Sequence, residues 1–525
     1  MNNKQWLLGL LVASLVLWLM FLGNLPLRDW DEGTYAIVAR EIYRTGNWVY
    51  PTIQGDPFLL KPPLMQWLIA ICYHAGGIQE FTTRFPGAFL TALGVPLLYL
   101  IGRLIFAETL PALFSALVYL TLLPVVRHGR LAMLDGMTIS FFLLLLFCVL
   151  KARHDRKYAV GIGFCLGLIT LTKGMLVVVL AGIAGLFIIL NNQLAIFKNP
   201  FLWIGMFLGN FPAIAWYFAQ WQHYGNIFLE VHFQSQAFDR LGKAVEGNTG
   251  PIWYYLLEVI KYGFPWLLFW PGGLYLSWKN RHTAWGCLTL IGTIVYFVIV
   301  SLMSTKLPWY IMPIYPFLAL AIGANLSYIW QEEKFKTRFL TGFFAFLVII
   351  GLIGCVYFSI VDKQPLLIVM SIILAVTMGI TSWFINQHNR QFIPVLFAGM
   401  YLVLAMLMSS QSWIWELNEK FPVLPVAALI RDNIPPGTEI YTSFPDGRPS
   451  LDFYSDCKVI PTSLADLQDK FVHKFYLLVD NDTLQKMNLR GSKIIGESEG
   501  FKLISPLINF TTEHIFQAGT VYNQF

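Results

Sequence analysis

Apolar residues gather in long runs, separated by short polar turns, from the start of the chain to about residue 413. A helix that crosses a bilayer needs about 17–25 such residues. Runs of this kind fall near 6–27, 86–106, 109–126, 137–150, 158–172, 175–190, 201–219, 262–278, 284–303, 308–330, 339–360, 365–385 and 393–413. The pattern predicts a polytopic α-helical membrane protein with about thirteen transmembrane helices. The first run follows a single lysine, Lys4, and is too long for a signal-peptide core. No small-residue cleavage site precedes Arg28, so the run is expected to remain as a span.

Two regions depart from this rhythm. Residues 28–84 form a long first loop in which amphipathic helices are expected to lie along the membrane. Tyr35, Val38, Ala39, Ile42 and Tyr43 recur there at helical spacing behind Asp31 and Glu32. Beyond about residue 416 hydropathy falls and short strand patterns alternate with helical ones. Helices are expected at 423–433, 448–456 and 464–470, and strands at 439–443, 458–462 and 474–480. That alternation predicts a small soluble α/β domain over 416–525, following a membrane domain over 1–415.

The turns between spans fall into two sets. One is short and basic, as in KARHDRK (151–157) and EEKFKTR (332–338). The other is chemically unusual: residues 28–84, RHGRLAMLD (127–135), TKG (172–174), 220–261 and STKLPWY (304–310). Basic turns belong in the cytoplasm, so the N-terminus is expected there, with the unusual loops and the C-terminal domain outside.

Composition narrows the class. Hydrophobic residues make up 56% of the chain and charged ones 13%, which excludes an ordinary soluble protein. The net charge of +6 is spread without a basic stripe, so nucleic-acid binding has no support. Four of the six cysteines lie inside apolar runs and no C-x-x-C spacing occurs, so neither a disulfide framework nor a zinc site is indicated.

The outward loops bring together Lys61, Lys173, Arg240 and Lys306 with the carboxylates Asp31, Glu32 and Asp135. Each has an ordinary structural reading. Acids in a first helical turn complement its dipole, lysines at span mouths snorkel, Arg130 and Asp135 form an ion pair, and His232 packs among aromatics. Taken together they suit a phosphate, which calls for several cations and donors, beside a group able to move a proton. Apolar surroundings suit a phosphate carried on a lipid.

The chain resembles the polytopic glycosyltransferases of the C-type superfold, namely the ArnT-like lipid A aminoarabinose transferases and their protein O-mannosyltransferase relatives. The matching stretches are DEGTYAIVARE (31–41), GNWVYPTIQGDPFLLKPPLMQWL (46–68), RLAMLD (130–135), LTKG (171–174) and KLPWYIMPIYP (306–316). The resemblance implies a polyprenyl-phosphate-linked sugar donor and action at the outer face of a bacterial inner membrane. It implies that Asp31 is the first-loop catalytic acid and Asp135 the second-loop acid. Lys61, Lys173 and Tyr310 would hold the lipid phosphate, joined by Arg240 and Lys306. Glu32 would orient Asp31 or contact the acceptor, and His232 and Arg130 would position it. No metal is required, although Asp31, Glu32 and Asp135 could hold a divalent ion. No W-W-D triplet occurs, unlike the oligosaccharyltransferase branch.

The expected activity is therefore transfer of a sugar to a lipid, lipid A-like, or to another envelope acceptor. A transporter or flippase of lipid-linked sugars is the rival, and its signature would be broken spans and midplane charges in related halves. The charges here gather at loop mouths instead.

Overall fold

The computed structural model describes residues 2–244, 247–332, 337–415, 421–487 and 492–506. The chain divides into two compact units, Met1–Glu419 and Lys420–Phe525.

The first unit is a bundle of apolar helices. Each of the thirteen apolar runs holds helix, but not every one is long enough to cross a membrane on its own. Among the described residues eight helices are long and apolar enough to cross a membrane, or nine with the bent pair Thr109–Leu120 and Leu123–Arg130. Asn3–Leu19, Ala159–Lys173 and Leu176–Leu190 have 17, 15 and 15 residues. A 15-residue helix rises only ~22 Å, so each of these reaches across the ~30 Å core only together with the residues that flank it. The run at 262–278 is split, so that Trp270–Lys279 keeps 10 residues. Apolar composition alone does not mark where a helix breaks, and these breaks leave backbone and polar side chains at the ends of helices.

Burial sorts the long helices. Pro308–Gln331 and Leu134–Lys151 lie at the centre of the bundle, whereas Arg338–Ile360 is almost wholly peripheral. Lipid tails are as apolar as leucine, so helices in a membrane associate through close packing. Gly163 and Gly167 lie against Gly205 and Gly209, so that a methyl group on either would collide with the facing backbone. This contact fastens Ala159–Lys173 to Pro200–Tyr224 and fixes the end that carries Lys173. Gly167→Leu is expected to lower the melting temperature by several degrees, as overpacking costs about 1–3 kcal/mol; a fluorescence melt in detergent checks it.

The first loop folds as expected around helix Asp31–Thr45. It adds a small hairpin, β1 (Thr52–Ile53) with β2 (Asp56–Pro57), and a helix Leu64–Gly76. The hairpin is held by Glu41, whose carboxylate accepts from Thr52 Oγ1 and the Gln54 N–H. Val49 O, just before it, accepts from Trp216 Nε1 at 3.0 Å and Gln220 Nε2 at 2.7 Å. The loop is thus pinned to a spanning helix.

The second unit has a five-stranded sheet: β3 (Glu439–Thr442), β4 (Lys458–Pro461), β5 (Tyr476–Asp480), β6 (Ser492–Ser498) and β7 (Phe501–Pro506), in the order β4-β3-β5-β7-β6. β3 pairs in parallel with β4 and β5, and the β6–β7 hairpin is antiparallel. Side chains alternate along β5. Leu478 packs with Val426, Ile430 and Leu451 on one face, and Leu477 and Val479 pack with Leu467 and Phe471 on the other. Helices therefore cover both faces, which makes this an α/β unit.

Candidate active site

Asp31 opens the helix Asp31–Thr45, and the residue before it, Trp30, has φ +63°, a region that favours glycine. Non-glycine residues held there store strain and cluster at working sites. One turn along the helix, Tyr35 is buried and its hydroxyl donates to Asp31 Oδ1 at 3.1 Å. Burial, and then the Asp31 charge, hold the Tyr35 phenol well above its usual pKa, so it keeps its proton and acts as a fixed donor. Sequence periodicity had placed Tyr35 on the apolar face only; its hydroxyl orients the carboxylate.

Lys61 arrives from the hairpin, ahead of Pro62 and Pro63, which lead into helix Leu64–Gly76. Its ammonium is held down to about 8, chiefly by burial and then by repulsion from Arg240 and Lys173, with Asp31 and Asp135 opposing the shift. Four separated segments therefore place charges within range of one lysine. Asp135, at the start of Leu134–Lys151, pairs with Lys173, at the end of Ala159–Lys173. Lys173 Nζ also lies 5.5 Å from the Tyr310 ring centroid. Arg240 Nη1 donates to the Tyr310 hydroxyl at 2.6 Å, and the Tyr296 hydroxyl donates to Tyr310 O at 2.7 Å. The Thr305 N–H donates to Arg240 O at 3.2 Å, tying the 240s loop to the strap that carries Tyr310.

The cluster holds three cations, Lys61, Lys173 and Arg240, against two carboxylates, Asp31 and Asp135. One positive charge is left over. That matches a phosphodiester, which carries one negative charge. Removing an ammonium from such a site weakens anion binding, so affinity for a lipid phosphate is expected to fall as pH rises through about 8, where Lys61 deprotonates. A bound phosphate stabilises the ammonium and moves the loss upward. Titration of binding between neutral and alkaline pH checks the sign, and Lys61→Arg is expected to flatten the curve.

His232 is buried. Its Nδ1 lies 3.1 Å from Leu59 O and its Nε2 2.9 Å from the Tyr217 hydroxyl. A carbonyl only accepts, so Nδ1 carries the proton and Nε2 accepts from Tyr217. Burial holds its pKa down to about 4, so the ring is neutral and supplies no charge to an anion. It joins the first loop to helix Pro200–Tyr224, close to Gly174 and Pro62. Gly174 itself has φ +54°, and a Cβ there would stand 3.1 Å from the Tyr217 hydroxyl. Gly174→Ala is expected to cost about 1–2 kcal/mol and to displace Lys173, read as a joint fall in melting temperature and donor affinity.

Three residues singled out in the sequence take other places. Glu32 points away from Asp31, as successive helical residues do. It is fully buried, paired with Arg84 through Nε–Oε1 and Nη2–Oε2 contacts of 2.9 Å each, and accepts the N–H groups of Arg28 and Ala132. Burial alone would raise its pKa, but the Arg84 charge and these hydrogen bonds outweigh that and lower it. Arg84 further donates to Leu22 O, Leu25 O and Pro26 O, so this pair fixes the chain between the first helix and Asp31. Arg130 donates to Leu17 O, Trp18 O, Met20 O and Met408 O beneath the Trp413 ring. Lys306 donates to Ser301 O at 2.6 Å and Val300 O at 3.3 Å, where helix Ala284–Leu302 ends. Both cations satisfy orphan carbonyls at helix ends.

The carboxylates Asp31, Glu32 and Asp135 are drawn to different partners. Glu32 is held by Arg84 and Asp135 by Lys173, and no group of three such ligands occurs among the described residues. Beside the cluster, an apolar groove of about 530 Å³ runs between Thr170 and Met206, Ile214, Tyr217 and Trp221.

The family profile described as dolichyl-phosphate-mannose-protein mannosyltransferase matches residues 60–217. Over 410 residues the chain is 28% identical to undecaprenyl phosphate-alpha-4-amino-4-deoxy-L-arabinose arabinosyl transferase 2 of Pseudomonas fluorescens (strain Pf0-1), covering 75% of this chain and 73% of that one. Transferase 1 from another Pseudomonas fluorescens strain is 28% identical over 377 residues, 69% and 67% of the two chains. The crystal structure of ArnT from Cupriavidus metallidurans bound to undecaprenyl phosphate superposes with a TM-score of 0.79 at 17% identity, over 98% of this chain and 100% of that one. At that identity the likeness is one of fold.

Proposed function

We propose that this chain is an ArnT-like glycosyltransferase that takes a polyprenyl-phosphate sugar donor and transfers 4-amino-4-deoxy-L-arabinose from undecaprenyl phosphate to a phosphate of lipid A. The observation that carries the reading is the convergence of Lys61, Lys173, Arg240 and Tyr310 around Asp31 and Asp135, with one positive charge in excess. The groove beside helix Pro200–Tyr224 is long and apolar enough to take part of the prenyl chain.

In the step itself the bond between the anomeric carbon and the phosphate oxygen breaks. The electron pair leaves on the lipid phosphate, and an acceptor oxygen attacks the carbon. Lys61, Lys173, Arg240 and the Tyr310 hydroxyl stabilise the charge that develops on the leaving phosphate. These groups are held in place before the reaction, so little reorganisation accompanies the transition state. A phosphate acceptor is already ionised and needs no base. Asp31, oriented by Tyr35, then pairs with the sugar's own ammonium, and it would take a proton only from a hydroxyl acceptor.

One pair of residues in the cluster also bears on location. Asp135 and Lys173 meet at one end of two neighbouring helices, and the basic turn 151–157 joins the far ends. Basic turns stay inside. This supports a cluster on the periplasmic side of the bacterial inner membrane.

Incubating purified protein with labelled undecaprenyl-phosphate aminoarabinose and lipid A tests the reading. Label on lipid A is expected, and Asp31→Asn is expected to slow it by no more than about tenfold. A loss of about 10²–10⁴, the range for general acid–base work, would point to a hydroxyl acceptor instead. Movement of intact donor across vesicles without product would favour a flippase.

A further inference from the structure

The second unit carries a crevice that the transfer reaction does not use. β3 lies between its two parallel neighbours: the chain leaves it to one side for β4, then crosses over it to β5. Helix Pro449–Ser455 packs with one face of the sheet and helices Leu464–Val472 and Asn481–Lys486 with the other. Connections that depart to opposite faces part at the strand ends and leave a gap. In open α/β sheets that gap, beyond the carboxyl ends of the strands, is where small ligands bind. Here it is lined by the residues that directly follow the strands. Ser443 and Phe444 follow β3, Thr462 and Ser463 follow β4, and Thr483 and Lys486 lie just after β5. Its volume is about 480 Å³, within the usual range for small-molecule sites.

We infer that this crevice binds a neutral saccharide unit, of mono- or disaccharide size. Four hydroxyl groups, those of Ser443, Thr462, Ser463 and Thr483, face a space walled by Phe444, Pro461 and Leu464, and those not spent on one another or on Asp466 can donate or accept. That pairing suits a sugar ring, which has hydroxyls around its edge and C–H bonds on its faces. Ser443 and Thr483 share a 3.0 Å hydrogen bond across the floor, joining the end of β3 to the helix after β5. A free anion is the poorer fit. Ser463 already donates to Asp466 Oδ2 at 2.7 Å while capping its own helix, and Asp480 accepts the Thr483 N–H at 2.7 Å. These two carboxylates border the crevice against one exposed lysine.

The test uses the full chain in lipid nanodiscs, with maltose and N,N′-diacetylchitobiose as probes in saturation-transfer difference NMR. Saturation is expected to reach at least one sugar at millimolar concentration. Thr462→Val, which keeps shape and removes one hydroxyl, and Lys486→Ala, at an exposed position, are each expected to weaken binding about fivefold, the usual effect of one hydrogen bond. Transfer to neither sugar, affinities unchanged in both variants, or displacement of the sugar by inorganic phosphate would each overturn the assignment. Sugar transfer by the membrane unit is scored separately, so loss of that activity leaves this result readable.

Discussion

Lys61→Met is expected to lower kcat/KM by about 10²–10³, the loss seen when one preorganised donor to a developing oxyanion is removed. Lys61 is held between two prolines and a pinned hairpin, so its ammonium reaches the cluster without searching for a conformation. Burial first, and then Arg240 and Lys173 against the opposing pull of Asp31 and Asp135, lower its pKa, so its ammonium is poorly compensated without an anion. An incoming phosphate compensates the buried ammonium, and the gain grows as charge accumulates on the leaving oxygen. The loss should therefore fall on kcat as well as on KM, and Lys61→Arg should recover part of it. Steady-state kinetics with a labelled donor separate the two terms. A fall confined to KM would mean that Lys61 binds the ground state and the transition state equally.

Arg84→Met is expected to destabilise the membrane unit by about 3–5 kcal/mol, because it strands a buried carboxylate. The guanidinium has no exposed surface, grips both oxygens of Glu32 and donates to three carbonyls of the chain leading into Asp31. Glu32 has a lowered pKa in the folded state, so its contribution is complete above the unfolded carboxylate range, near 4.3, and is lost as pH falls through the lower folded value. Acid should therefore narrow the gap between wild type and variant. The double variant Arg84→Met with Glu32→Gln is expected to be more stable than Arg84→Met alone, since no buried charge then lacks its partner. Thermal melts at neutral and acid pH give both comparisons. Equal losses for the single and double variants would contradict the account.

Much of the site is readable from side-chain chemistry and spacing alone. Asp31, Lys61, Asp135, Lys173, Arg240 and Tyr310 stand out because charge beside a span demands a reason, and the structure brings them together. The division of roles among charges is not readable. Lys306 and Arg130 are cations at the ends of apolar runs, as Lys61 and Lys173 are, yet they face helix-end carbonyls. A sequence holds no sign of whether a cation's partner is a ligand or a carbonyl brought near by folding. Asp31 and Glu32 are adjacent in the chain, but the helix turns them to different surroundings. Arg84 had a usable signal: it sits in FTTRFPGAF, at the edge of an apolar run, where an arginine needs a buried partner. Tyr35 had none, because a tyrosine on an apolar face reads as packing.

The same contrast holds for the fold. Helices at 423–433 and 464–472 and strands at 439–442, 458–461 and 476–480 follow the hydrophobic pattern closely. The β6–β7 hairpin was missed. It turns at Glu499 and Gly500, both with positive φ, where glycine in the second position is the cue. Apolar composition runs unbroken through bends and short helices, so among the described residues eight or nine helices are long and apolar enough to cross a membrane on their own, against thirteen apolar runs.

The most direct measurement is the affinity of the purified protein for undecaprenyl phosphate compared with undecaprenol, in wild type and in Lys61→Met. A cationic cradle for the lipid phosphate predicts that the phosphate form binds at least about a hundredfold more tightly, and that Lys61→Met removes much of the difference without changing undecaprenol binding. Equal affinity for the two lipids in the wild type would contradict it.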